Sequence, residues 1–436
     1  MYGYRKILWS LVNNSLEILI GMTTIILVTR LYSKEEVGAW TVFMTVFFFV
    51  TKLKEGVIQT ALIKFSSGLA DAGYWKTLKV SFITNLILEA IISIILVFIG
   101  WINVFPSLSI LFLLYPVYSI PWSFYRWQLF VHQSGLKVEL IFRTNLMMLV
   151  ILGVGFSGII TYQLPIEYLV ISLGAGSLSA AFIGFLFIGV KPLWSASIER
   201  HLFTELISFG KFGMLREMTG TLSSRINVFL TAGFLSLAET GLLGIAQRYT
   251  QLVSLPNTSI QTLMFPKACE LVNQGRRSEL KPLFESTVAM LLAMLLPAFL
   301  FLAASSWGII WLLNGSQYVQ AAPLMIVMVF TVAIFAPFGN AFGSVMNAAG
   351  LPQMNMKVVL VNSVINIILS FSLVLTIGLA AAVIAPLITE ISGFFWIRKI
   401  LKKEFNISFS NCFKLIPESY SGLYAVVMLK VGRVHS

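Results

Sequence analysis

Long, predominantly apolar runs recur along the whole chain, each closed by a short polar joint, and this pattern predicts membrane-crossing helices. The runs fall at 7–30, 37–65, 77–101, 108–132, 138–160, 166–190, 205–234, 240–265, 283–313, 320–347, 355–378 and 379–397. A helix rising about 1.5 Å per residue needs about 20 apolar residues to cross the hydrocarbon layer, so these runs predict about twelve spans joined by short loops. The first is read as a retained helix, not a secretory signal, because Asn13, Asn14 and Glu17 interrupt it and no small-residue cleavage site follows. Near the C-terminus the stretch 415–429, bounded by Pro417 and Lys430, is too short for a span and predicts an interfacial helix.

Alternate joints differ in charge. One set carries Lys76, Lys79, Lys137, Lys191, Arg200, Lys211, Lys267, Arg276, Arg277, Lys281, Lys357, Arg398, Lys399, Lys402 and Lys403, whereas the opposite set carries Arg30 and Lys34. Lys and Arg concentrate in cytoplasmic loops, so the asymmetry predicts an even number of spans with both termini in the cytoplasm.

The two halves repeat. Ser33, Glu36 and Gly38 precede a helix ending in Ile58, Gln59, Thr60 and Lys64; Ser236, Glu239 and Gly241 precede one ending in Ile260, Gln261, Thr262 and Lys267. The expected architecture is therefore all-α and polytopic, about twelve transmembrane helices in two six-helix lobes related by an internal parallel repeat. The lobes are placed at 1–190 and 205–400, with a cytoplasmic connection at 191–204 and a cytoplasmic tail at 401–436. Two such bundles facing each other enclose a central cavity.

Composition agrees. With 58% hydrophobic and 11% charged residues, the chain has too little polar surface to cover a soluble globule of 436 residues. A net charge of +12 in a soluble protein would suggest nucleic acid, but here most of it is insertion topology, and no nucleic-acid partner is expected. Cys269 and Cys412, like His132, His201 and His435, are dispersed, so neither a disulfide framework nor a metal or other cofactor is predicted.

Candidate chemistry lies in the polar residues within the spans. Ser10, Asn13, Asn14, Glu17, Gly21 and Thr24 line one face of the first helix, and Ser81, Asn85, Glu89 and Ser93 one face of the third. Glu17 and Glu89 fall near mid-depth, where an ionised carboxylate needs water or a cation. In the second span Lys52 and Glu55 are spaced to pair, while Lys54 needs a partner of its own or water, and a wet cavity is expected there. The seventh carries Arg216, Glu217, Thr221, Ser224 and Arg225, with Glu217, Thr221 and Arg225 on one face. Arg225 has two readings: recognition of an anionic head group by its planar fork, or an interhelical salt bridge to Glu17 or Glu89. Arg248 belongs to the same class. Arg126 and Arg143 lie close enough to the cytoplasmic end to snorkel to the interface, where an incoming lipid pyrophosphate would also meet them. The candidate substrate-binding set is thus Arg225, Arg216, Arg248, Lys52, Lys54, Arg126 and Arg143. Glu17, Glu55, Glu89 and Glu217 are candidates for proton coupling or buried ion pairs. Asn340, Ser344 and Asn347, then Asn362, Asn366 and Ser370, form polar stripes suited to helix packing. Prolines 116, 121, 297, 323, 337 and 386 are expected to break ladders inside spans.

Leu31, Glu36 and Gly38, with Phe209-Gly210, Glu239, Gly241 and Pro266-Lys267 in the second half, resemble motifs of a known family. Asn314-Gly315, Tyr318 and Ala321 to Leu324, followed by Asn347 to Gly350, extend the likeness over most of 1–400. The chain resembles the polysaccharide or O-antigen flippases of the multidrug, oligosaccharidyl-lipid and polysaccharide exporter superfamily. That resemblance implies alternating-access export of undecaprenyl-pyrophosphate-linked repeat units of O-antigen, lipopolysaccharide, capsule or a similar glycan across a cell inner membrane. A glycan polymerase and chain-length machinery are implied as partners, besides the lipid-linked oligosaccharide and the bilayer. Where many relatives carry an acidic–basic pair in the seventh span, this chain has Asn227-Val228.

Two other functions are weighed. A multidrug exporter of cationic compounds would want an excess of intramembrane carboxylates, and here bases outnumber acids. A membrane glycosyltransferase or glycan polymerase would want acid–base groups on a substantial outer loop, whereas Asp71 is the sole aspartate and the predicted outer joints are short. No enzymatic activity is therefore expected.

Overall fold

The computed structural model describes residues 4–66, 72–134, 138–188 and 190–421, and the side chains of Glu17, Arg216 and Glu217 lie outside the described residues. The described chain is all-α. Its helices are α1 (Tyr4–Leu31), α2 (Lys34–Ser66), α3 (Ala72–Trp101), α4 (Pro106–Leu113), α5 (Tyr115–Ser134), α6 (Val138–Tyr162), α7 (Glu167–Ile188), α8 (Val190–Ser195), α9 (Arg200–Phe234), α10 (Leu237–Asn273), α11 (Leu280–Leu313), α12 (Ala322–Ile334), α13 (Ala336–Ala348), α14 (Pro352–Ile377), α15 (Ala381–Phe405) and α16 (Phe409–Lys414).

Each predicted span has a helical counterpart, but two are broken. The run 108–132 becomes α4 and α5, bent by 48°, and the run 320–347 becomes α12 and α13, interrupted at Phe335. The prolines explain the breaks and correct one expectation. Pro116, Pro323 and Pro337 stand in the first turns of α5, α12 and α13, where the missing N–H has no ladder carbonyl to serve. Pro121, Pro297 and Pro386 do lie inside helices. Seven stretches among the described residues, or eight with the bent pair, are long and apolar enough to cross a membrane; one of them, Pro352–Phe405, holds both α14 and α15. The protein is a multi-pass membrane protein.

The chain divides into two compact units, 1–241 and 242–436. In the first, α2 packs along α9, and α7 packs against α5 and α6. Small residues allow these approaches. A Cβ on Gly174 would lie 2.3 Å from the Val117 carbonyl oxygen, and one on Gly210 would lie 2.4 Å from that of Val57. Tyr32 donates to the Leu164 carbonyl at 2.8 Å, bringing the α1–α2 and α6–α7 joints to one end of the unit. At the other end Lys76 pairs with Glu199 at 2.6 Å, and Lys79 donates to the carbonyls of Trp194 and Ala196 at 2.7 Å each.

The repeat has a local physical meaning. Ser33 and Glu36 form a reciprocal capping box at the start of α2: the Ser33 N–H reaches Glu36 Oε2 at 2.8 Å and the Glu36 N–H reaches Ser33 Oγ at 3.3 Å. At the start of α10 the Glu239 N–H donates to Ser236 Oγ at 3.1 Å, and that hydroxyl donates to Glu239 Oε2 at 2.9 Å. Gly38 meets the opening of α10 within the first unit, where a Cβ would fall 1.7 Å from the Leu237 carbonyl oxygen.

In the second unit an aromatic core joins α11, α13 and α15 to the tail. Phe409 packs on Phe338 and Phe394 with ring centroids 4.5 and 4.9 Å apart. Glu285 on α11 accepts the Ser408 N–H at 2.9 Å and Asn411 Nδ2 at 3.3 Å, satisfying donors at the start of α16. Burial raises the Cys412 thiol pKa to about 12. Of the predicted interfacial stretch 415–429, residues 416–421 are helical, and 422–429 lie outside the described residues.

Candidate functional site

Two ion pairs are buried side by side where α2, α3 and α5 meet. Lys54 pairs with Glu89 of α3, both side chains 3% exposed, and donates to Ser123 Oγ of α5 at 2.8 Å. Glu55, equally buried, receives Arg126 Nε of α5 at 2.5 Å and Lys52 Nζ at 2.8 Å. Around them Asn85 Nδ2 donates to Ser123 Oγ at 2.7 Å, Ser93 Oγ to Glu89 at 3.3 Å, and Trp127 Nε1 to Ser81 Oγ at 3.0 Å. The stripe Ser81, Asn85, Glu89, Ser93 is thus one buried face turned towards α2 and α5.

Three sequence-based expectations change. Lys54 does not stand in a wet cavity; it is 4% exposed and neutralised by Glu89. Glu89 is accordingly taken as a partner for Lys54, not Arg225. Arg126 does not snorkel to the interface, because the desolvated Glu55 carboxylate holds its guanidinium in the bundle, where it also lies 5.3 Å from the Phe130 ring centroid. Arg143, in contrast, is exposed in the second turn of α6.

Among the described residues of this cluster three bases, Lys52, Lys54 and Arg126, face two acids, Glu55 and Glu89, and Lys52 is the most accessible of the five at 42% exposure. Arg225 of α9 approaches the same stretch of α2, with its Cζ 5.9 Å from the Phe48 ring centroid. Phe48 and Lys52 are four residues apart on α2, so Arg225 packs on the face of α2 that carries Lys52. Arg248 lies in the second unit, with Nη1 3.1 Å from Gln251 Oε1. The side chains of Arg216, Glu17 and Glu217 are outside the described residues.

Two residues were not singled out from sequence. Ser123 bridges Lys54 and Asn85, a role that no local spacing reveals because its partners lie 69 and 38 positions away. Glu390 was legible, being an acidic residue nine positions into α15, which begins at Ala381. Its residue is exposed and makes no ion pair among the described residues. On α14, Asn362 packs over Gly393 of α15 so closely that a Cβ there would meet its amide nitrogen at 2.3 Å.

The cluster holds α2, α3 and α5 together through buried ion pairs and hydrogen bonds. Residues 27–323 match the sequence model of a family described as polysaccharide biosynthesis protein. A probable low-salt glycan biosynthesis flippase of Haloferax volcanii is 21% identical over 212 residues, covering 48% of this chain and 44% of that protein. An uncharacterized membrane protein of Methanocaldococcus jannaschii is 24% identical over 245 residues, covering 56% of this chain and 45% of that one. The chain thus spans less than half the length of these curated relatives. Among solved structures, the inward closed conformation of the lipid II flippase MurJ superposes with a TM-score of 0.76 at 14% identity, covering 97% of this chain and 93% of that one. An inward-facing MATE-family multidrug resistance transporter of the MOP superfamily gives 0.73 at 17% identity, covering 88% and 95%. These two likenesses establish the fold. The family match covers more than half of the sequence, and the chain belongs to the family of polysaccharide biosynthesis proteins.

Proposed function

We propose that the protein is a flippase for a lipid-linked oligosaccharide, carrying an undecaprenyl-pyrophosphate-linked repeat unit of O-antigen, capsule or a similar glycan from the cytoplasmic to the outer leaflet by alternating access. The observation that supports this reading is the face of α2 that carries Lys52, 42% exposed in its pair with Glu55, and receives Arg225 of α9 against Phe48. A pyrophosphate head group must shed water to cross the bilayer, and a guanidinium fork with a neighbouring ammonium replaces its hydration. Lys54 and Arg126 serve that site indirectly, by holding α2 against α3 and α5. Arg216 and Arg143 are proposed as further head-group contacts. Membership of the family and the flippase named among the relatives support the reading. The assignment places both termini in the cytoplasm of an inner membrane, two six-helix lobes at 1–190 and 205–400, and a glycan polymerase downstream. A second reading, export of an organic cation, draws on the exposed Glu390 inside α15.

Deleting the gene in its host and locating lipid-pyrophosphate oligosaccharides by mass spectrometry with sidedness labelling separates the two. The flippase reading expects complete repeat units to build up on the cytoplasmic leaflet. Unchanged lipid intermediates and intact surface glycan in a host with no second flippase, together with new sensitivity to cationic dyes, would establish the export reading instead.

A further inference from the structure

In the second unit, the exposed side of α15 changes character along its length. Ile388, Ile391 and Phe395 recur there at helical spacing, with Phe395 59% exposed, while Gly393, Ile397 and Leu401 bury the opposite side. An exposed apolar face on a membrane-crossing stretch lies against hydrocarbon. The next two turns carry Arg398, Lys399, Lys402 and Lys403, all exposed and none in an ion pair among the described residues. Successive helical positions turn by about 100°, which centres these four cations on the sector that Ile388, Ile391 and Phe395 mark. Hydrocarbon contact thus gives way to a block of positive charge within one turn, as a bilayer's acyl layer gives way to its phosphates. Insertion topology asks only for cations in the joint, and the helix dipole only for a cation in the last turn. Neither asks for four on the lipid-facing side, where Arg398 and Lys402, like Lys399 and Lys403, stand four apart and repel. Glu404, the acid of these turns, pairs with none of them. More cations gather at this end of the unit. Arg277 lies with its Cζ 5.4 Å from the Phe405 ring centroid. The chain then turns at Asn406, whose φ is 52°, and α16 adds Lys414 beside Phe413, which is 43% exposed.

We propose that this face of α15 is a binding site for anionic phospholipid. The phosphate oxygens meet the guanidinium fork of Arg398 and the ammonium groups of Lys399, Lys402 and Lys403, and an acyl chain lies along Phe395 and Ile391. Charge selects the ligand. A zwitterionic lipid brings its own ammonium to an already positive surface, whereas a lipid of net negative charge relieves the repulsion among the four cations. The site belongs to the second unit alone and does not rest on the flippase reading.

The test places a photo-crosslinking amino acid at position 395 of the full-length protein, reconstituted in liposomes of equal parts phosphatidylglycerol and phosphatidylcholine. The same probe at Val364 of α14, an exposed position whose sequence neighbours are uncharged, is the reference. The ratio of phosphatidylglycerol to phosphatidylcholine adducts at position 395 is expected to exceed that at 364 by about tenfold. In folded, monodisperse protein, Arg398→Gln with Lys402→Gln should bring the ratio down towards the reference. Arg143→Gln with Arg200→Gln, which removes the same charge from the first unit, should leave it unchanged. Equal ratios at the two probe positions, or a ratio that survives the α15 double change, would overturn the proposal. A further arm adds a polyprenyl-pyrophosphate lipid at a small mole fraction. Persistence of the phosphatidylglycerol adducts supports the phospholipid site, whereas their replacement by adducts of the added lipid would overturn it in favour of a cargo contact. Adduct ratios are read without transport, so a protein that moves no glycan lipid can still meet this expectation.

Discussion

Adjacent cations on α2 are predicted to behave differently because one is sealed and the other is not. Removing Lys54 strands the buried Glu89 carboxylate, and loss of one partner of a buried pair costs about 3–5 kcal/mol. Lys54→Met is therefore expected to lower the thermal midpoint and the yield of folded protein, whereas the double change Lys54→Met with Glu89→Leu recovers both. Failure of the double variant to recover would show that the pair has a role beyond packing. Lys52→Met exposes no charge in that way, so the folded protein should survive. Loss of one charge-assisted contact worth about 1.5–3 kcal/mol should cut transport about tenfold or more. By the same logic Arg126→Ala reduces folded protein and Arg225→Ala reduces transport; equal specific activity of folded Arg225→Ala and wild type would reject the head-group role. Cysteine reactivity gives a pH test outside the spans. Burial disfavours the Cys412 thiolate and raises its pKa to about 12, so Cys412 stays protonated and unreactive to maleimide at about pH 8, while the partly exposed Cys269 is labelled first. Labelling of Cys412 at a comparable rate would contradict its place in the core.

At the scale of elements, packing follows small residues and end chemistry. Gly184 of α7 lies so close to Gln128 of α5 that a Cβ would overlap its amide. Gly184→Leu is expected to separate α5 from α7 and lower the thermal midpoint more than Gly158→Leu on α6, where a Cβ meets nothing within 4 Å. Glu285→Ala removes the acceptor for Ser408 N–H and Asn411, so α16 should gain amide exchange and protease sensitivity while the other helices of its unit keep their protection. Much of this was legible in advance. Apolar runs locate the helices because each must satisfy its own backbone inside lipid, and the Ser-x-x-Glu spacing at 33–36 and 236–239 announces two capped helix starts. The bend at Leu114 and the interruption at Phe335 were legible only through Pro116 and Pro337, because a broken helix and a straight one present the same apolar run. Which acid meets which base was hidden for a different reason: Glu55 had Lys52 in view along the helix, but its second partner, Arg126, lies 71 positions away.

For the whole molecule, the flippase reading requires that a charged lipid head group cross the membrane through this protein. Composition and repeat bear on architecture, and family membership together with the cations around α2 bears on cargo. Those cations yield one direct measurement. Purified protein is reconstituted into liposomes with a lipid-pyrophosphate oligosaccharide in both leaflets, and an added enzyme cleaves the glycan from the outside. Wild-type protein is expected to let the enzyme consume nearly the whole pool, while protein-free liposomes and the Lys52→Met, Arg225→Ala double variant stop at the half initially exposed. Cleavage stopping at that half with folded wild-type protein, or running to completion with the double variant, would contradict the flippase reading.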